Sequence, residues 1–212
     1  MKPKVKLIAI IGSQRKNGNS YLLAKTVLDS TGVGYDIIQL ADEKIEFCNL
    51  CEKCLNSDCV LEDDFDQILE KMKNADGIVF VVPKYIFLAS KFLCFLERLA
   101  TIQHMREHVG YKIAFKNPDY KLFPTKKPFC ILVGSGTGKI EKETLQIVAD
   151  YIEGLGLKLV PHDLPPFLAV SVKDGDDIGE VLRNKEGMEE CKKMIKKLVD
   201  SIKSSDSGTL HS

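Results

Sequence analysis

The sequence carries no excess charge of either sign: 30 lysines and arginines balance 30 aspartates and glutamates over 212 residues. A balanced chain offers neither a basic groove for nucleic acid nor an acidic tail. No apolar stretch approaches the roughly 20 residues of a membrane span, so no membrane partner is expected. There is no internal repeat and no linker. The G-x-G-x-x-G fingerprint of dinucleotide sites is missing from the first strand-to-helix turn. "GSGTGKI", at 134–140, approximates a Walker loop, but its glycine spacing is wrong and Ile140 stands where Ser or Thr must bind magnesium. His104, His108, His162 and His211 pair with no cysteine or aspartate in the sequence, which leaves a Cys–His nucleophile without support.

Cysteine, by contrast, is plentiful, with seven in the chain. A secreted disulfide framework would want a leader and even pairing. "MKPKVKLIAIIG" places cations before an apolar run, but that run is too short for a signal peptide and reads as a buried strand. The expectation is a soluble, cytoplasmic protein with reduced thiols. At this size it can bury a core without covalent staples.

Apolar runs at Val5–Ile11, Gly34–Leu40, 77–83, 128–134 and 157–160 read as strands. Helical patterns alternate with them. One begins near Asn19, one carries Phe65, Ile68, Leu69 and Met72, and one carries Phe92, Leu96 and Leu99 with Ser90 as its cap. A fourth carries Leu145, Val148, Ala149, Ile152 and Leu155 and stops at Gly156. The last carries Met188, Cys191, Ile195, Leu198 and Ile202. The alternation predicts an α/β fold: a flavodoxin-like, doubly wound, five-stranded parallel sheet with helices on both faces. Residues 1–203 form one domain, with a Cys-rich loop at 47–60, an irregular excursion at 101–127 and a polar tail at 204–212.

Such sheets bind ligands at the carboxyl ends of their strands. The loop "GSQRKNGNS" leaves the first strand there, where backbone N–H groups and the helix dipole favour an anion. Ser13, Asn17, Asn19 and Ser20 can donate to oxygens, and Arg15 adds a planar, permanent charge. Short donors with one strong cation suit a terminal phosphate monoester better than a diphosphate, which needs glycines for close backbone approach. The same residues would also serve an ordinary turn.

"GSQRKNGNS", "PKYIF" after the third strand, "KFLCFLERL" beyond it and "GSGTG" after the fourth resemble, in that order, the NADPH-dependent FMN reductase family. The resemblance covers about residues 1–160. It implies a flavodoxin-like fold and bound FMN, with Ser13, Arg15, Asn17, Asn19 and Ser20 on the phosphate. Pro83, Lys84, Tyr85, Ile86 and Phe87 would flank the isoalloxazine, and Ser135 and Gly136 would close its other side. The sequence departs from the family pattern at Cys94, where lysine is usual, and at Glu97, where aspartate is usual.

Cys48, Cys51, Cys54 and Cys59 read C-x2-C-x2-C-x4-C. Three thiolates at two-residue gaps suit the corners of a [4Fe–4S] cluster, and the fourth can close the same cluster locally. The spacing resembles the iron–sulfur flavoprotein branch of the family, although Leu50 stands where relatives often have glycine. Zinc, which favours two separated cysteine pairs, and an empty loop are the alternatives. Cys94, Cys130 and Cys191 lie in apolar patterns and read as packing residues.

Together the motifs predict an FMN-dependent oxidoreductase passing electrons between flavin and cluster. The alternative is an NAD(P)H-dependent FMN or quinone reductase whose cysteine loop is structural or binds zinc. The expected redox partner is ferredoxin or NAD(P)H. No catalytic acid or base stands out, and the resemblance implies a homodimer or homotetramer.

Overall fold

Alternate residues of the central strands face opposite sides of one sheet, and each side is covered by helices. The computed structural model describes residues 5–84, 87–108, 115–135, 140–173 and 177–208, with the backbone alone for 135 and 206–208. The strands are β1 (Lys6–Ile11), β2 (Gly34–Gln39), β3 (Gly77–Lys84), β4 (Pro128–Ser135), β5 (Lys158–Leu159) and β6 (Val170–Lys173). The helices are α1 (Asn19–Asp29), α2 (Phe65–Asn74), α3 (Ser90–Glu107), α4 (Lys142–Gly154) and α5 (Lys185–Gly208). All strand pairs are parallel, in the order β2-β1-β3-β4-β5, with β6 also pairing β4. This is the flavodoxin-like order.

Ile8, Ile10, Ile78, Phe80, Val82, Phe129 and Ile131 pack with α2, α3 and α4. Leu7, Ala9, Ile11, Val79, Val81, Cys130 and Leu132 pack with α1 and α5. The period of two within each strand therefore divides the core between the two faces. None of the helices among the described residues is long and apolar enough to cross a membrane.

Four expectations need correction. The fifth strand shrinks to Lys158–Leu159: Lys158 N and Val160 N donate to Lys127 O and Phe129 O, but His162 N, the next donor in that alternation, turns to Phe167 O at 2.8 Å. β6 then takes over the free edge of β4, pairing Leu132 through Ser135. The excursion expected at 101–127 is in part helix, since α3 continues to Glu107 with Ile102 and Met105 buried. Gln103 pins the returning chain: its Nε2 donates to Tyr120 O at 2.6 Å and its Oε1 accepts from Leu122 N at 2.8 Å.

α5 runs into the Ser-rich segment expected as a tail, and the hydroxyls of Ser201, Ser204 and Ser205 bond to carbonyls three or four residues back. Ser90 is the first residue of α3, which is preceded by Ala89 and has no side-chain cap. Gly156 does end α4. It has φ +98°, and a Cβ there would lie 2.5 Å from Phe123 O.

Candidate functional site

Parallel register brings three loops onto one edge. Gly12 N donates to Val81 O at 2.9 Å, which joins the end of β1 to β3. Pro83 and Lys84 pair with Gly134 and Ser135, and Ser135 also pairs with Lys173. The turns after β1 and β3 and the end of β4 thus adjoin at the point where strand order reverses, the usual ligand crevice of such sheets. Gly12 is required by packing: a Cβ there would lie 2.8 Å from Phe92 Cβ, where α3 crosses the loop.

In the β1–α1 loop, Ser13 and Ser20 are buried and Arg15 is exposed. Ser13 Oγ accepts from Arg15 N at 3.1 Å. Asn17 takes φ +51°, a conformation that asparagine tolerates. Its N–H donates to Gln39 Oε1 at 2.8 Å, and Gln39 Nε2 donates back to its Oδ1 at 3.3 Å, so the end of β2 braces the loop. Gln14 Nε2 donates to Ser90 Oγ at 2.6 Å and ties the loop to α3. That bond is where the Ser90 hydroxyl goes instead of capping. Lys16 pairs with Asp42 at 2.5 Å.

Gly18 precedes α1 with no side-chain cap, and the first turn holds no acidic residue. First-turn N–H groups have no intrahelical acceptor, so this helix start favours an anion. The expected role of Asn19 changes. Its Nδ2 donates to Asp177 O at 3.0 Å and its Oδ1 accepts from Gly179 N at 2.7 Å, so the side chain holds the segment before α5. Ser13, Arg15, Asn17 and Ser20, the other four side chains expected on a phosphate, lie in the same loop.

After β3, Pro83 is buried and Lys84 pairs with Glu141 at 3.2 Å. A backbone hydrogen bond first, and Lys84 second, hold the Glu141 carboxyl below the usual carboxylate range. Phe87 is 73% exposed. Tyr85, Ile86 and Gly136 lie outside the described residues, as does the side chain of Ser135. A cavity of about 400 Å³ lies at the free edge of the sheet, lined by His162, Ser171, Glu186 and Glu190. Its described lining contains no lysine or arginine, so it does not suit a phosphate.

The cysteine segment leaves β2 on the same sheet edge and lies against α3. Leu50 and Glu52, on either side of Cys51, take left-handed φ of +53° and +57°. A 3₁₀ turn, Lys53–Leu55, then carries Cys54 into the core. Cys51 is exposed, and Cys48 and Cys59 are half-buried. Burial first, then the neighbouring Cys59, Cys48 and Cys51, push the Cys54 thiol up. Among the described residues no three metal-ligating side chains are gathered around a common centre. The donor set nevertheless fits a thiolate-bound centre in chemistry, with four free thiols within twelve residues of one segment. Cys130 and Cys191 are buried, and burial pushes both thiols up.

Side chains of α3, three of them within "KFLCFLERL", hold this segment in place together with Asp63, a role the motif did not reveal. Arg98 and Asp63 form a buried ion pair, with side chains 2% and 1% exposed. Arg98 also donates to Glu46 O at 3.3 Å and to Cys59 Sγ at 3.2 Å, and its guanidinium lies 4.2 Å from the Phe65 ring centroid. Burial works to lower the Arg98 pKa, but the Asp63 hydrogen bond and the adjacent Cys59 outweigh it, and the net direction is up. Lys91 Nζ donates to Glu43 O at 2.5 Å, Cys94 Sγ to Glu46 O at 3.6 Å and Arg106 Nη2 to Ser57 O at 3.1 Å. The signal for Arg98 was its spacing: it stands three residues after Phe95 and four before Ile102, inside the buried face of α3.

The family model for NADPH-dependent FMN reductase matches residues 5–115, just over half of the chain. The chain belongs to that family. Its match to an iron–sulfur flavoprotein of Archaeoglobus fulgidus is 40% identical over 83 residues, 38% of this chain and 41% of the relative. The chain thus aligns with about two-fifths of the length of that curated relative. A second Archaeoglobus fulgidus iron–sulfur flavoprotein aligns almost end to end, 24% identical over 92% of this chain and 96% of its own. Among solved structures, RosB with bound 8-demethyl-8-formylriboflavin-5′-phosphate superposes with a TM-score of 0.68. It is 14% identical, covering 96% of this chain and 81% of that one. At that identity the likeness bears on the fold.

Proposed function

We propose that this member of the FMN reductase family is an FMN-dependent oxidoreductase that passes electrons between a flavin and a [4Fe–4S] cluster. The observation that carries the flavin half is the uncapped start of α1 at the carboxyl edge, with Ser13, Arg15 and Ser20 beside it. A terminal phosphate fits there, and FAD is disfavoured because the loop lacks the glycines of a diphosphate cradle. When bound, FMN supplies hydride or single-electron chemistry. Pro83, Lys84 and Phe87 would flank its ring, together with Tyr85, Ile86, Ser135 and Gly136. No proton-transfer residue is called for, so the chain's task is to orient the ring and exclude water.

The cluster half is supported by the C-x2-C-x2-C-x4-C spacing and by the iron–sulfur names of the aligned relatives. Cys48, Cys51, Cys54 and Cys59 would be the ligands. The ungathered thiols favour a second reading, an NAD(P)H-dependent FMN or quinone reductase whose cysteine segment is structural or binds zinc. Exposed Phe47, Leu50, Val60 and Phe87 would suit burial against a second copy, in a homodimer or homotetramer. Reduced ferredoxin or NAD(P)H is the proposed electron donor.

Anaerobic purification tests the reading directly. About one FMN and about four irons with four sulfides per chain are expected, with a broad absorption shoulder beyond the flavin bands. Cys54→Ala should then accept electrons from reduced ferredoxin much more slowly while a direct hydride donor still reduces the flavin. Equal rates in mutant and wild type with every donor would leave the cluster off the path and favour the second reading.

A further inference from the structure

The four cysteines are not held alike. The limb around Cys51 is exposed and turns through two left-handed residues, Leu50 and Glu52. The limb that ends at Cys59 is held by cations. Lys116 Nζ donates to Asn56 Oδ1 at 3.2 Å, Arg106 donates to Ser57 O and pairs with Asp58, and Arg98 donates to Cys59 Sγ. Of these, Arg98 is the buried one. Its fork reaches Asp63, the carbonyl of Glu46 and the sulfur of Cys59 together. Asp63 in turn accepts from Glu46 N at 2.8 Å and Phe65 N at 3.2 Å. A single ion pair therefore fixes both ends of the segment: Glu46, two residues before Cys48, and Cys59, its last thiol.

We propose that Arg98 is the positioning residue of the cysteine site, fixing the Cys59 sulfur with an N–H···S bond and setting the reduction potential of the thiolate-bound centre. This inference rests on the cysteine segment being a metal site. Cys48, Cys51 and Cys54 sit at two-residue gaps and can be brought together by the loop itself. Cys59 lies four residues further on and needs an outside anchor, which the α3 guanidinium supplies. Preorganising that limb removes part of the ordering cost that metal binding would otherwise carry. Hydrogen bonds to ligand sulfurs and nearby charge are the protein's means of tuning such centres. A buried cation donating to a ligand sulfur stabilises the reduced, more negative state and raises the potential.

The test begins with metal analysis of wild-type protein and then compares two variants, R98Q/D63N and R98K. The double variant leaves no lone buried charge and keeps hydrogen-bonding side chains at both positions, so it should fold with a wild-type circular dichroism spectrum. It should lose its metal to a chelator at least tenfold faster than wild type. Its cluster should also be harder to reduce, because the lost guanidinium donates to Cys59 Sγ directly whereas the lost Asp63 carboxylate meets that sulfur only through Arg98. The expected size is about tenfold in equilibrium constant, a fall of about 59 mV for one electron. R98K keeps the charge but not the fork, and its potential should lie between the two. A folded R98Q/D63N with wild-type release rate and potential overturns the role of Arg98 and leaves the metal reading standing. Zinc in place of iron in the wild type removes the claim about potential, and the release rate then decides the positioning role. Wild-type protein that takes up neither iron nor zinc overturns both.

Discussion

Between Gly12 and Ser20 the chain is placed first by a strand in the middle of the sheet and the helix that packs on it, with Gln39, Asp42 and Ser90 as exposed braces. Between Lys44 and Asp64 it is placed by side chains from elsewhere. Lys44 N donates to Asp64 Oδ2 at 2.7 Å, and Lys91, Cys94, Arg98 and Arg106 reach across from α3. Both segments lie on the same edge of the sheet and both are rich in functional side chains. One follows mainly from a strand-to-helix turn, to which side-chain ties are added at the surface. The other exists only because one helix carries particular cations on an otherwise apolar face.

Substitution should separate the two modes, and the largest effect falls on the cation-held segment. Arg98→Met leaves the Asp63 carboxylate buried without its counter-charge, held only by the Glu46 and Phe65 N–H groups, and should cost about 3–5 kcal/mol. A fall in Tm on the order of 10 °C is the readout. A loss below 1 kcal/mol would mean that water reaches Asp63 and that the segment is held by other contacts.

Arg15→Ala removes the guanidinium from the loop proposed to hold the phosphate. Loss of a charged hydrogen bond, about 1.5–3 kcal/mol, should weaken FMN roughly 10- to 100-fold while riboflavin binds nearly as before. Fluorescence titration with both ligands measures this, and equal losses would remove Arg15 from the phosphate.

A smaller change probes the backbone of that same loop. Gly12→Ala forces a methyl group against Phe92 and should cost about 1–3 kcal/mol from overpacking. Because the strain shifts the whole loop, FMN and riboflavin affinity should fall together, unlike the Arg15 result. The smallest effect on folding is expected at Cys51, which is exposed. Cys51→Ala should leave apo-protein stability within about 0.5 kcal/mol, yet abolish the iron absorption shoulder with the flavin bands intact. A destabilised apo protein would show that Cys51 packs rather than ligates.

Much of this edge was legible beforehand, for reasons visible in particular residues. Val5–Ile11 followed by Gly12 and an apolar pattern from Asn19 is a local signal, and the start of α1 lies where that signal put it. The short C-x2-C-x2-C gaps are local too. The direction of Asn19 was not readable, because its partners Asp177 and Gly179 lie some 160 residues away. Nor was β6, four residues whose strand character comes from the edge of β4 that β5 leaves open. Ser90 had the composition of a cap, and Gln14, 76 residues earlier, claimed its hydroxyl.

Sequence alone determined the alternation of strands and helices, the two-sided apolar pattern of the central strands, the phosphate-suited loop and the spacing of the four cysteines. Each of these is written within a few residues, over distances where steric preference and periodicity act without the rest of the chain. Tertiary structure decided which helix lies beneath the cysteines, and so that Asp63 and Arg98, 35 residues apart, meet as a buried ion pair beside the Cys59 sulfur. Such a contact becomes favourable only once the packed core has excluded the water that would otherwise solvate both charges.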